Sequence, residues 1–229
     1  MTFFARALVA GCIVSFVFAA SGSPALADPV PAYTRVAEGS TPTHRSQTDR
    51  ATGDIYVYIG GAFPPGTHLA TFQYLFDLTT EGNTTGYITP LLFQFAPGEE
   101  CTVFTLVGIG RGFEVELKSA PQAIPFEIIE GIKAPTNAHF TFGFINALVD
   151  SSGSLVETSS GVIDFDNPSD GGEGVGGTGT LNGWGASSAA SPVATLGTTF
   201  AVSGCTADEI FINPTRTYSA AATGIIAAQ

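Results

Sequence analysis

Glu114 and Glu116 stand two positions apart in "RGFEVELK" (111–118). On an extended strand successive side chains alternate, so both carboxylates would face the same way. Two carboxylates about 5 Å apart are the equipment of retaining glycoside hydrolysis, one as acid/base and one as nucleophile. A solvent-facing strand side produces the same spacing, and the flanking Arg111 and Lys118 supply the opposite charges such a side carries. Both readings stay open on the pattern alone.

A second acidic group lies in "DFDNPSDGGEGVGGTGTLNGWG" (164–185), where Asp164, Asp166 and Asp170 fall within seven positions. Calcium takes six to eight oxygen ligands, and closely spaced carboxylates in a glycine-rich turn can supply several. The EF-hand pattern breaks at its fifth position, Pro168, and no glutamate stands at its twelfth. Asp164, Asp166 and Asp170 are therefore read as a weak calcium site or as an acidic loop whose side chains cap their own turns. The same stretch matches G-x-G-x-x-G at Gly172, Gly174 and Gly177. That fingerprint needs a strand before it and a helix after it, and here more glycine follows, so a dinucleotide site is excluded.

Trp184, the one tryptophan, stands near Asn182 in this glycine-rich stretch. A flat amphipathic ring beside an amide can stack on a sugar. Tyr56, Tyr58, Tyr74, Tyr87 and Tyr218 are the other aromatic candidates for that role. Nucleophilic catalysis finds no G-x-S-x-G elbow. The three histidines, His44, His68 and His139, stand in unrelated segments without zinc-ligand spacing.

The elements that must position these groups begin after a leader. Residues 1–27 join Arg6, the apolar run "ALVAGCIVSFVFAA" and a terminal "ALA", the order of a secretory signal peptide, with cleavage expected after Ala27. "VAGC" at Cys12 resembles a lipobox, but the apolar run continues beyond it, so no lipid is expected. No transmembrane segment is expected in the mature chain. Only Cys101 and Cys205 then remain, and export favours a disulfide between them. It would close a loop of about 100 residues, worth roughly 4–5 kcal/mol on the chain-entropy model before strain.

The net charge of −12 excludes the basic face that nucleic acid demands and opposes docking on anionic lipid. Residues 28–53 read as an extended polar arm, with an edge strand through Tyr33 to Val36 as the other reading. From residue 54 to 229 short apolar runs alternate with turn chemistry. "THLATFQYLFDLT" places Phe72, Tyr74 and Phe76 on one face, and "HFTFGFINALVD" does the same with Phe140, Phe142 and Phe144. The runs amount to nine or ten strands, no amphipathic helix, and a long glycine-rich loop at 166–193.

This is the pattern of a single all-β antiparallel domain, a β-sandwich or jelly roll. A small outer-membrane β-barrel is the competing architecture. "PLLFQF" and "FEIIEGI" are apolar on both faces, which fits packed sheets better than a barrel with a polar lumen. The expected function is that of an exported, non-catalytic β-sandwich with a structural or binding role, secreted, periplasmic or at the cell surface. Its partners would be a surface glycan or other exported proteins. The alternative is a carbohydrate-binding or carbohydrate-cleaving jelly roll.

Overall fold

The computed structural model describes residues 33–39, 42, 47–49, 55–59, 61–77, 84–97, 102–158, 162–166, 184–187, 194–201 and 212–227, all within the compact unit Pro31–Gln229. These residues form strands, turns and extended segments, with no helix among them.

Two antiparallel sheets are packed face to face. The first runs β1 (Tyr33–Gly39), β17 (Ala220–Ala227), β4 (His68–Asp77) and β13 (Val162–Asp166). In it β8 (Lys118–Pro125) also pairs with β4, and β2 (Gln47–Asp49) with β13. The second runs β14 (Trp184–Ser187), β3 (Ile55–Tyr58), β10 (Phe140–Ile145), β5 (Thr85–Pro97), β6 (Thr102–Gly110) and β15 (Thr199–Ala201), with β9 (Ile128–Gly131) on β6. Strand β16 (Ile212–Tyr218) belongs to both: Thr217 and Tyr218 pair with β13, whereas Ile212 and Arg216 pair with β14. The first half of β5 carries β7 (Phe113–Glu116), and β11 (Ala147–Val149) and β12 (Leu155–Thr158) form a separate hairpin. The strand path ends at β1 and β15 without closing, so the barrel alternative does not hold.

Alternation explains the layers. Phe72, Tyr74 and Phe76 of β4 and Ala220 and Ala222 of β17 point inward from one sheet. Tyr56, Tyr58, Phe140, Phe142 and Phe144 meet them from the other, and all are buried. Tyr56 and Phe144 stack at 4.6 Å and Tyr218 meets Tyr56 edge-on at 4.9 Å. Phe72 spans the layers to Phe144 at 5.5 Å and Phe142 at 6.1 Å. Such ring pairs add about 0.5–1.5 kcal/mol each beyond area burial. The alternating phenylalanines are thus the seam between the sheets.

The second sheet is buried on its other face as well. Ile55, Val57, Leu91, Phe93, Leu106 and Ile145 form a second cluster with Ala147 and Val149 of β11 and with Ala194. This is why "PLLFQF" is apolar on both faces, with Leu92 in the first cluster and Leu91 and Phe93 in the second. "FEIIEGI" departs from the sequence expectation: Ile128 is buried, but Ile129 and Ile132 are each 47% exposed. Pro90 interrupts no ladder, because it stands where β5 exchanges β7 for β6 along one edge.

Three further elements extend or depart from the sequence reading. Within residues 28–53 the edge-strand reading through Tyr33 to Val36 holds and extends further: β1 is in register with β17 from Tyr33↔Ala227 to Gly39↔Ala221. The segment Lys118–Pro125 is strand in spite of Pro121. Trp184, placed by its glycine-rich surroundings in a loop, is paired on both sides in β14, with Tyr58 and with Arg216.

Candidate functional site

Glu114 and Glu116 lie on β7, where Val115 between them is buried and both glutamates are exposed. The antiparallel register sets Glu114 opposite Tyr87 and Glu116 opposite Thr85 on β5. Cross-strand partners share a face, so a phenol, a hydroxyl and two carboxylates form one surface patch. A shallow, open depression of about 290 Å³ lies there, lined by Thr84, Thr85, Glu114, Val115 and Glu116. Lys118 Nζ stands 3.3 Å from Glu116 Oε2, and Gln122 Nε2 donates to the Glu116 carbonyl at 2.8 Å. The strand alternation that brings the carboxylates together also turns them to open solvent. Glycosidase acids commonly rely on an apolar enclosure to stay protonated, and this patch has an open, partly polar lining instead.

Beside it, Arg111 Nε donates to Glu127 Oε2 at 2.9 Å and Arg111 Nη2 to Oε1 at 3.4 Å. The hydrogen bond and the charge pairing raise the Arg111 pKa and lower that of Glu127. Both side chains are exposed, so the pair adds little to stability.

Among the described residues, the other sequence-derived candidates are not brought to this patch. Tyr56, Tyr74 and Tyr218 are core residues with 0–1% exposure, and burial pushes the Tyr74 phenol up to about 12. Tyr58 is 7% exposed and packs on Phe142 at 5.4 Å. Their proposed role in stacking on a sugar is corrected to building the aromatic seam; Tyr87 alone of this group is partly exposed beside a carboxylate. His68 opens β4 and His139 immediately precedes β10, and both are exposed. No group of three metal-ligating side chains occurs among the described residues. Asp164 and Asp166 occupy alternate positions of β13, with Asp164 opposite Thr48. Asp170, Asn182, His44, Cys101 and Cys205 lie outside the described residues.

Two features escape a motif search. Tyr87 and Thr85 join the glutamates through cross-strand register, which no local spacing encodes. Glu38 is half-buried against the aromatic core, and the alternation of Val36 and Glu38 in "RVAEG" is the local signal for it. The chain matches no known protein family, no curated protein and no solved structure.

Proposed function

We propose that this chain is an exported, non-catalytic β-sandwich with a structural or binding role at the cell surface or in the extracellular space. The carrying observation is the state of its best catalytic pair: Glu114 and Glu116 face open solvent from a strand, and Glu116 is engaged by Lys118. The signal-peptide pattern of residues 1–27 supports export, and the acidic, low-charge composition suits an extracellular β-domain.

The second reading is carbohydrate binding, and one observation favours it. Thr85, Glu114 and Glu116 line the shallow depression, and Tyr87 is the register partner of Glu114 at its side, so a phenol, a hydroxyl and carboxylates lie on one sheet face, the mixture a sugar's apolar face and hydroxyls require. A glycan array probed with the mature chain, with and without calcium, separates the readings. The non-catalytic structural reading predicts no glycan captured through this patch and no hydrolysis. Capture lost in Glu114→Gln and Tyr87→Ala would establish the carbohydrate reading. Calcium-dependent capture lost in Asp166→Ala would locate a metal at the acidic stretch.

A further inference from the structure

Strand β1 alternates across the edge of the first sheet. Tyr33, Arg35 and Ala37 are exposed, while Val36 packs on the aromatic core. Glu38 occupies the next core-facing position and is half-buried, where the alternation calls for an apolar residue.

Its surroundings are crowded and offer no cation among the described residues. Glu38 lies against Gly61: a Cβ there would run into Glu38 Oε2 and lie 3.4 Å from Tyr58 Cε1. The next residue, Gly39, has φ +100°, and a Cβ on it would lie 2.7 Å from Phe142 Cζ and 2.6 Å from the Ala220 carbonyl. The Gly39 backbone also hydrogen-bonds the Tyr58 phenol. The end of β1 is thus pressed onto the core at the point where its carboxylate sits.

The groups facing Glu38 from each neighbouring element can be named. Strand β17 offers Ala222 as its register partner. Strand β3 offers Tyr58, the segment after β3 offers Gly61, and β10 offers Phe142 through Gly39. Arg35 lies on the opposite face of β1. Tyr58 is therefore the titratable partner among the described residues, and as an acid it gives a carboxylate no compensating charge. Burial raises the Glu38 pKa above its ordinary 4.5, and the Glu38 charge contributes to the raised pKa of Tyr58.

We propose that Glu38 is a proton-operated latch: as a neutral acid it holds the end of edge strand β1 against Tyr58 and Gly61, and its ionisation loosens that end. Linkage fixes the direction. A carboxyl whose folded pKa is raised contributes its full stabilisation below 4.5 and loses it as pH rises through the folded value. Above that pH, β1 is held by the β17 ladder and Val36.

The test is hydrogen exchange of the amides in residues 33–39 of the mature chain from about pH 4 to pH 8, expressed as protection relative to intrinsic rates. Protection should fall with rising pH over the titration of Glu38, by at most about tenfold per pH unit, the slope of a single proton. Glu38→Gln keeps the shape and removes the titration, so its protection should stay flat near the low-pH level of the parent chain. Gly61→Ala displaces the flexible carboxylate into solvent and should also abolish the pH dependence. Identical pH profiles for the parent and Glu38→Gln, or protection that rises with pH, would overturn the latch.

Discussion

Asn146 is 1% exposed, and neither its amide nitrogen nor its amide oxygen has a hydrogen-bond partner among the described residues. It stands between β10 and β11, where Thr89 Oγ1 donates instead to the neighbouring Ala147 carbonyl at 2.7 Å. A buried polar group left unpaired costs about 1–3 kcal/mol, whereas an apolar group of the same shape avoids that cost. Asn146→Leu, which keeps the γ-branched outline, should stabilise the domain by about 1 kcal/mol, or about 2–4 °C in thermal unfolding for a domain of this size. A loss of more than about 1 kcal/mol would mean that the amide is serving a partner. At this scale the sequence is least informative. Tyr56 and Tyr87 have the same chemistry and similar strand contexts, but one is the centre of the core and the other is partly exposed. The layer packed across each strand decides between them, and no local pattern contains it. Glu38 shows the converse, because its place after Val36 in an alternating run is readable once β1 is known to be a strand.

Among the elements, β10 carries the tightest constraint. Gly143 pairs with Val57 on one side and Leu91 on the other. A Cβ on it would collide with the Tyr56 carbonyl oxygen and lie 2.7 Å from Phe93 Cε2. Backbone cannot move aside as a flexible side chain can, so Gly143→Ala should destabilise by about 2–3 kcal/mol through overpacking. An unchanged denaturation midpoint would contradict the register of β3 against β10. The strands rich in alternating aromatics, β4 and β10, are readable directly from the chain, since a period of two in large apolar residues matches one buried strand face and fits no helical stripe. The elements that hide are those whose composition argues against them. Pro121 masks β8, which pairs along one side with β4 and can accommodate a missing donor at the edge. Glycines surround Trp184 and mask β14, although cross-strand pairing to β3 and β16 makes it an interior strand. β1 is polar because its outward side faces solvent.

For the whole molecule, the two-sheet sandwich follows from the conflict between abundant aromatics and scarce charge: the rings need an enclosed layer, and two antiparallel sheets provide it without helices. That much is legible from composition and periodicity. The passage of β16 from one sheet to the other is not, because long-range pairing leaves no local trace. Nor does the sequence show how a carboxylate pair is set; Glu114 and Glu116 are both exposed, and Lys118 Nζ stands 3.3 Å from Glu116 Oε2. Export of a sandwich closed by one disulfide would leave its mark on the intact mass and N-terminal sequence of the protein recovered outside the cytoplasm under non-reducing conditions. The expected chain begins Asp28-Pro29-Val30-Pro31, carries no lipid, and is two hydrogens lighter than its reduced form through a Cys101–Cys205 bond. A cytoplasmic chain retaining Met1 with two freely alkylated thiols, or a diacylglyceryl mass on Cys12, would contradict it.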